Sequence, residues 1–104
     1  MNTPSDSSAS IQAQSVRNRL NLIKNELALC FTFSLIATHR YEAGNQESAL
    51  KSMGNAERAY ETVIHFLSDP KHSKHLTGEE SQDIGAELVR LRDRLDGLIS
   101  KFRK

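Results

Sequence analysis

Residues Gly44 to Tyr60 read GNQESALKSMGNAERAY. One glycine is followed by alanines at Ala49 and Ala56, with Met53 between them and Tyr60 closing the stretch. Ala49, Met53, Ala56, Tyr60, Val63 and Leu67 recur at alternating spacings of four and three, the period of a helix packed along a seam. Small residues on such a seam let a neighbouring backbone approach closely. Gly44 supplies the turn that brings that neighbour back, because glycine tolerates the left-handed conformation of a helix C-cap. The stretch therefore predicts a helix lying tightly against the segment before it.

That preceding segment, from Ile11 to Glu42, contains no Pro or Gly. Val16, Leu20, Ile23, Leu27 and Cys30 repeat the four-three spacing, and Ala37 and Tyr41 continue it past a polar Ser34. Between Leu27 and Ala37, the residues Leu29, Phe31, Phe33, Leu35 and Ile36 join the seam, so this section is expected to be covered on more than one side. In the second helix, Leu50, Ile64 and Phe66 widen the apolar face, and Pro70 ends it, since the residue before a proline avoids helical angles. Gly54 reads as a tolerated surface glycine, with a close helix contact as the other reading. DPKHSKHL, from Asp69 to Leu76, reads as a loop.

Thr77 followed by Glu80 is a capping box, and Ile84, Leu88, Leu91, Leu95, Leu98 and Phe102 form a third four-three seam, broadened by Val89 and Ile99. No stretch alternates as a strand does. The expected fold is all-α, an antiparallel up-down-up three-helix bundle with helices at about 11–42, 45–69 and 77–102. Residues 1–10 form a flexible tail in this reading, and 11–104 a single domain.

The helical hairpin resembles a tetratricopeptide repeat. Gly44, Ala49, Met53 and Ala56 stand where that repeat has its turn glycine, a small residue, a large apolar residue and a second small residue. Phe33, Ile36 and Ala37 stand at its upstream aromatic, leucine and small positions. The repeat's closing proline would fall at Glu61, and no second copy of the motif occurs. The chain also resembles the microtubule-interacting and transport (MIT) domain from about Leu27 to Phe102, with YEAGNQESAL at the turn. That resemblance implies a three-helix bundle whose third helix helps form grooves for partner helices or extended peptides.

Composition narrows the function. The chain has 104 residues, a formal net charge of +1 and 26% charged residues, which suits a single soluble domain and not a dedicated nucleic-acid binder. Cys30 is the only cysteine, so no intramolecular disulfide forms. MNTPSDSSAS at the start has neither the basic nor the apolar region of a signal peptide. The run Leu27–Ala37 is shorter than a bilayer span, which takes about 20 residues. These features give a cytoplasmic expectation.

No arrangement of residues points to catalysis or to a cofactor. Cys30 and His39 lie more than two helical turns apart, and a free cysteine on an apolar seam acts as a small hydrophobe. His65, His72 and His75 are the weak metal candidates, with Asp69 as a further ligand. Lys71 and Lys74 oppose a cation there, and zinc needs about four ligands. No glycine-rich phosphate loop occurs. Asp83, Glu87, Asp93 and Asp96 alternate with Arg90, Arg92 and Arg94 as a solvated face of mixed sign. Arg90, Arg94, Lys101, Arg103 and Lys104 could give weak nucleic-acid binding.

The remaining feature is surplus apolar surface at Leu29, Phe33 and Ile36, with Val89 and Ile99 on the third helix. Such surface marks an interface. The expectation is a non-catalytic helical protein–protein interaction module whose partner is a protein or peptide helix, or a second copy in a homodimer. The alternatives are a small metal- or ligand-binding protein using the loop histidines and a weak nucleic-acid binder.

Overall fold

The computed structural model describes the backbone of residues 4–103 and the side chains of residues 17–103. The chain is all-α, with four helices and no strand among the described residues: α1 (Pro4–Glu42), α2 (Gln46–Ser68), α3 (Pro70–Ser73) and α4 (Gly78–Phe102). The molecule measures 63 × 24 × 18 Å. Its length is that of α1, whose 39 residues span about 58 Å at 1.5 Å each.

Each helix boundary has a local cause. Gly44 adopts φ 82°. The Asn45 N–H donates to the Arg40 carbonyl at 2.9 Å and the Gly44 N–H to Tyr41 at 3.0 Å. Together these form a Schellman motif that satisfies the last carbonyls of α1. Asn45 then caps α2, its side chain accepting from the Ser48 N–H at 3.1 Å. Thr77 caps α4, and both halves of its capping box are present, Glu80 N–H to Thr77 Oγ1 at 3.0 Å and Thr77 N–H to Glu80 Oε1 at 2.9 Å.

Two boundaries differ from the sequence reading. The backbone of α1 is helical from Pro4, so residues 4–10 extend the helix where a tail was expected. Ser, Ala and Asp impose no break there, and proline fits a first helical turn. The expected 69–76 loop contains the single turn α3. Asp69 caps it by accepting from the Lys71 N–H at 2.9 Å, and Pro70 occupies its first turn. Val16, the first member of the α1 seam, lies outside the described side chains.

The core is built from the three seams. Ile23, Leu27, Cys30 and Ala37 of α1, Ala49, Met53, Ala56 and Val63 of α2, and Ile84, Leu88, Leu91, Leu95 and Leu98 of α4 are all buried. Leu20, Tyr60, Leu67 and Phe102 pack partly buried against it. Side-chain size sets the helix spacing. Ala37, Ala49 and Ala56 are fully buried, and α1 against α2 is the most extensive contact between helices. Leucines and isoleucine of α4 hold that helix further from both, as expected when interaxial distance follows side-chain bulk. Gly54 takes no part in this approach, since a Cβ there would meet only the flexible Arg58 guanidinium, at 3.8 Å.

Polar contacts fix α4 in register. Ser34 is fully buried on the α1 seam; its hydroxyl donates to the Phe31 carbonyl and accepts from Arg94 Nε, both at 2.6 Å. Arg92 grips Glu57 of α2 through two parallel hydrogen bonds of 3.0 and 2.9 Å and also binds Asp96 at 3.0 Å. The hydrogen bonds to Glu57 raise the Arg92 pKa further above its already high range, against the opposing effect of burial. Tyr41 stacks on Phe102 at 4.6 Å between ring centres.

Candidate functional site

Positions 22, 26, 29, 33, 36 and 40 of α1 lie one residue before the core seam and share its four-three period, so they form a second strip about 100° around the helix. Leu22 and Leu29 on this strip are 45% and 44% exposed. Phe33 and Ile36 are half-buried, as is Glu26, and Arg40 is exposed. Beside it runs a strip of α2: Ser48, Ser52, Asn55, Ala59, Thr62 and Phe66. The two strips touch at both ends. Arg40 Nη1 donates to Ser48 Oγ, and Leu22 and Glu26 share a small recess with Thr62 and Phe66. Most α2 members are short, and Ser52 and Ala59 are buried, so the exposed apolar side chains on this face, Leu22 and Leu29, come from α1.

Seven large hydrophobic residues are exposed among the described residues, and four of them, Leu22, Leu29, Phe31 and Leu35, belong to α1. The expected cover on more than one side of Leu27–Ala37 is found only in part: α2 and α4 bury the seam and half-bury Phe33 and Ile36, whereas Leu29, Phe31 and Leu35 remain exposed. Phe31 is partly screened by the Arg94 guanidinium, 5.2 Å from its ring centre. Of the other residues proposed as partner contacts, Val89 is 63% exposed on α4, whereas Ile99 packs against the core. Leu50 and Ile64 of α2, expected to widen its apolar face, are exposed.

The same apolar character gives α1 a stretch, Arg17–Glu42, that is long and apolar enough by length and composition to cross a membrane. Around the Leu27–Ala37 run it includes Arg17, Arg19, Lys24, Glu26, Arg40 and Glu42. A helix that supplies a soluble core meets the same criterion, and this one supplies Ile23, Leu27, Cys30 and Ala37.

The histidines do not converge. His65 and His72 face one recess with Asp69 and Arg58, while His72 and His75 face another, of about 230 Å³, with Arg17 and Arg19. The turn of α3 causes this separation by stacking His72 on Phe66 at 3.8 Å between ring centres. His72 Nδ1 is buried without a hydrogen-bond partner, and its Nε2 lies 3.8 Å from Asp69. Among the described residues no group of three or more His, Cys, Asp or Glu side chains could hold a metal ion. Cys30 is fully buried. Loss of solvation pushes its thiol up to about 11, the Glu57 and Glu87 carboxylates adding to the effect and Arg92 opposing it, whereas a nucleophilic cysteine needs a lowered pKa.

The cations of α4 are largely engaged within the fold. Arg90 pairs with Glu87, Arg94 with Ser34, and Lys101 lies 3.7 Å from Glu42. Lys104 lies outside the described residues. Sequence reading placed Arg92 on a solvated face and so missed its clamp on Glu57. The two residues are 35 positions apart, and no local pattern pairs them. No known family model matches the chain, and comparison with curated proteins and with solved structures found no match.

Proposed function

We propose that the chain is a non-catalytic protein–protein interaction module of the cytoplasm. In this reading α1, α2 and α4 form an antiparallel up-down-up three-helix bundle, with α3 a turn in the second connection. Its support is the pairing of chain ends: Tyr41 meets Phe102 and Lys101, Ser34 meets Arg94, and Arg19 donates to the Lys71 carbonyl. The likeness to tetratricopeptide and MIT hairpins is part of the proposal as a shared packing solution, with small residues drawing two helices together.

The observation that carries the function is the strip of α1 centred on Leu29, on which Leu22 and Leu29 are exposed and Phe33 and Ile36 half-buried. Amphipathic helices bind apolar grooves through anchors at helical spacing. Capture of binding partners by the purified protein and by a Leu22→Asp/Leu29→Asp variant tests it. Both substitutions fall on exposed positions, so the fold is expected to survive, as checked by helical circular dichroism. The reading requires that the variant lose associations the natural chain makes. Identical associations for the two proteins would refute it.

A further inference from the structure

The shape and charge of the α1 strip select an occupant. We propose that the exposed α1 strip receives the α1 helix of a second copy, antiparallel, around a two-fold axis between Leu29 and Phe33. This deepens the interaction-module reading and rests on it.

Three observations carry the inference. The first is period. Residues 22, 26, 29, 33, 36 and 40 follow the same four-three spacing as the buried seam at 23, 27, 30, 34, 37 and 41. A helix with two adjacent seams is suited to two neighbours, and the fold covers the second seam only in part, leaving Leu22 and Leu29 exposed. The second is relief. Beside the strip, the α2 members Ser48, Asn55 and Thr62 are short and Ser52 and Ala59 are buried, so until Phe66 an incoming helix can settle against α1 without meeting bulky side chains.

The third is charge. Within the strip the only charged residues are Glu26 and Arg40. A parallel pairing sets Glu26 against Glu26 and Arg40 against Arg40. An antiparallel pairing packs Leu29 on Phe33 of the second copy, twice by symmetry, sets Glu26 opposite Ile36 and Leu22 opposite Arg40, and leaves each Glu26 about 6 Å along the axis from the other copy's Arg40. The surface is thus complementary to itself in one direction only, the requirement for an isologous, closed dimer. Arg40 can keep its bond to Ser48, since a guanidinium offers five N–H donors. Residues 22–40 span about 27 Å, and their pairing covers both exposed leucines of the strip.

Charge reversal tests this arrangement. Sedimentation velocity is measured over a wide concentration range for the natural chain, Glu26→Arg, Arg40→Glu and an equimolar mixture of the two variants. Leu29→Asp is measured in parallel, and circular dichroism confirms the fold of each. The natural chain is expected to dimerise. Each charge variant alone faces like charges at two symmetric contacts, and its dissociation constant should rise roughly tenfold or more. In a heterodimer of the two variants, each of the two contacts between positions 26 and 40 again joins an arginine to a glutamate. The mixture should therefore associate with near-natural affinity. Recovery in the mixture also removes the lost Arg40–Ser48 bond as an explanation.

A natural chain that stays monomeric to near-millimolar concentration overturns the inference, including the case in which the monomer binds lipid vesicles. So does a dimer that both charge variants form as well as the natural chain, or a mixture no tighter than its components. The broader reading fails separately, on Leu29→Asp. If the chain is monomeric and this substitution abolishes binding of a heterologous helix, self-pairing is wrong and the interaction module stands. If Leu29→Asp changes no association at all, the module reading fails as well.

Discussion

Replacing Cys30 by alanine should remove an alkaline sensitivity that the fold builds into the native chain. Burial raises the thiol from its ordinary 9.0 to about 11, so the native state holds its proton at pH values where the unfolded chain releases it. For an acid raised in this way, the unfolded state binds fewer protons as pH climbs past 9, and stability falls. At pH 10 about ten in eleven unfolded thiols are ionised, against about one in eleven native ones. The resulting loss between pH 7 and pH 10 is on the order of 1 kcal/mol. The slope begins near pH 9 and flattens above pH 11. Urea unfolding of the natural chain and Cys30→Ala at pH 7, 8, 9 and 10 measures it. The variant is less stable at neutral pH because a small cavity replaces the sulfur, and the gap between the two proteins should narrow by roughly 1 kcal/mol by pH 10. A gap that stays constant over this range would refute the argument, since every other titrating group is common to both chains.

Leu95 is fully buried where α4 meets the other helices, so Leu95→Ala should cost about 2–5 kcal/mol, read from urea denaturation midpoints. Ala56→Leu forces extra atoms between α1 and α2 at a position with no exposed surface, and overpacking of this kind costs about 1–3 kcal/mol; a stabilised variant would contradict the tight α1–α2 contact. Thr77→Ala removes the α4 cap seen in both hydrogen bonds of the capping box, with an expected loss of about 1 kcal/mol in thermal unfolding. Val89→Asp, on a side chain 63% exposed, should change stability by less than about 0.5 kcal/mol and serves as the surface control.

The seams were legible because burial on a helix imposes a period that needs no knowledge of the partner. Every seam member of α4 from Ile84 to Leu98 is buried, and the corner at Gly44 and the cap at Thr77 followed from backbone chemistry alone. What periodicity cannot supply is the number of neighbours around a helix. Leu29, Phe31 and Leu35 look like core residues, and only the placement of α2 and α4 leaves them open. The α3 turn was hidden because Asp69 and Pro70 signal a helix stop and a helix start with the same two residues. The Arg92–Glu57 clamp joins distant positions through the fold, and the local run of alternating charges around Arg92 suggested solvent instead. Of the six-member α1 strip, sequence reading isolated Leu29, Phe33 and Ile36. Leu22 sits outside the apolar run, and Glu26 and Arg40 are charged, so the continuity of the strip emerged only when their common face was known.

Association should run through the α1 strip and through no other surface of the chain. Sedimentation equilibrium of the natural chain and of Leu29→Asp, from micromolar to near-millimolar concentration, distinguishes this from any other interface. The natural protein should show a concentration-dependent rise toward the mass of two chains and the variant the mass of one chain throughout, with equal helix content in both. Dimers formed equally well by Leu29→Asp would contradict it by placing the interface elsewhere.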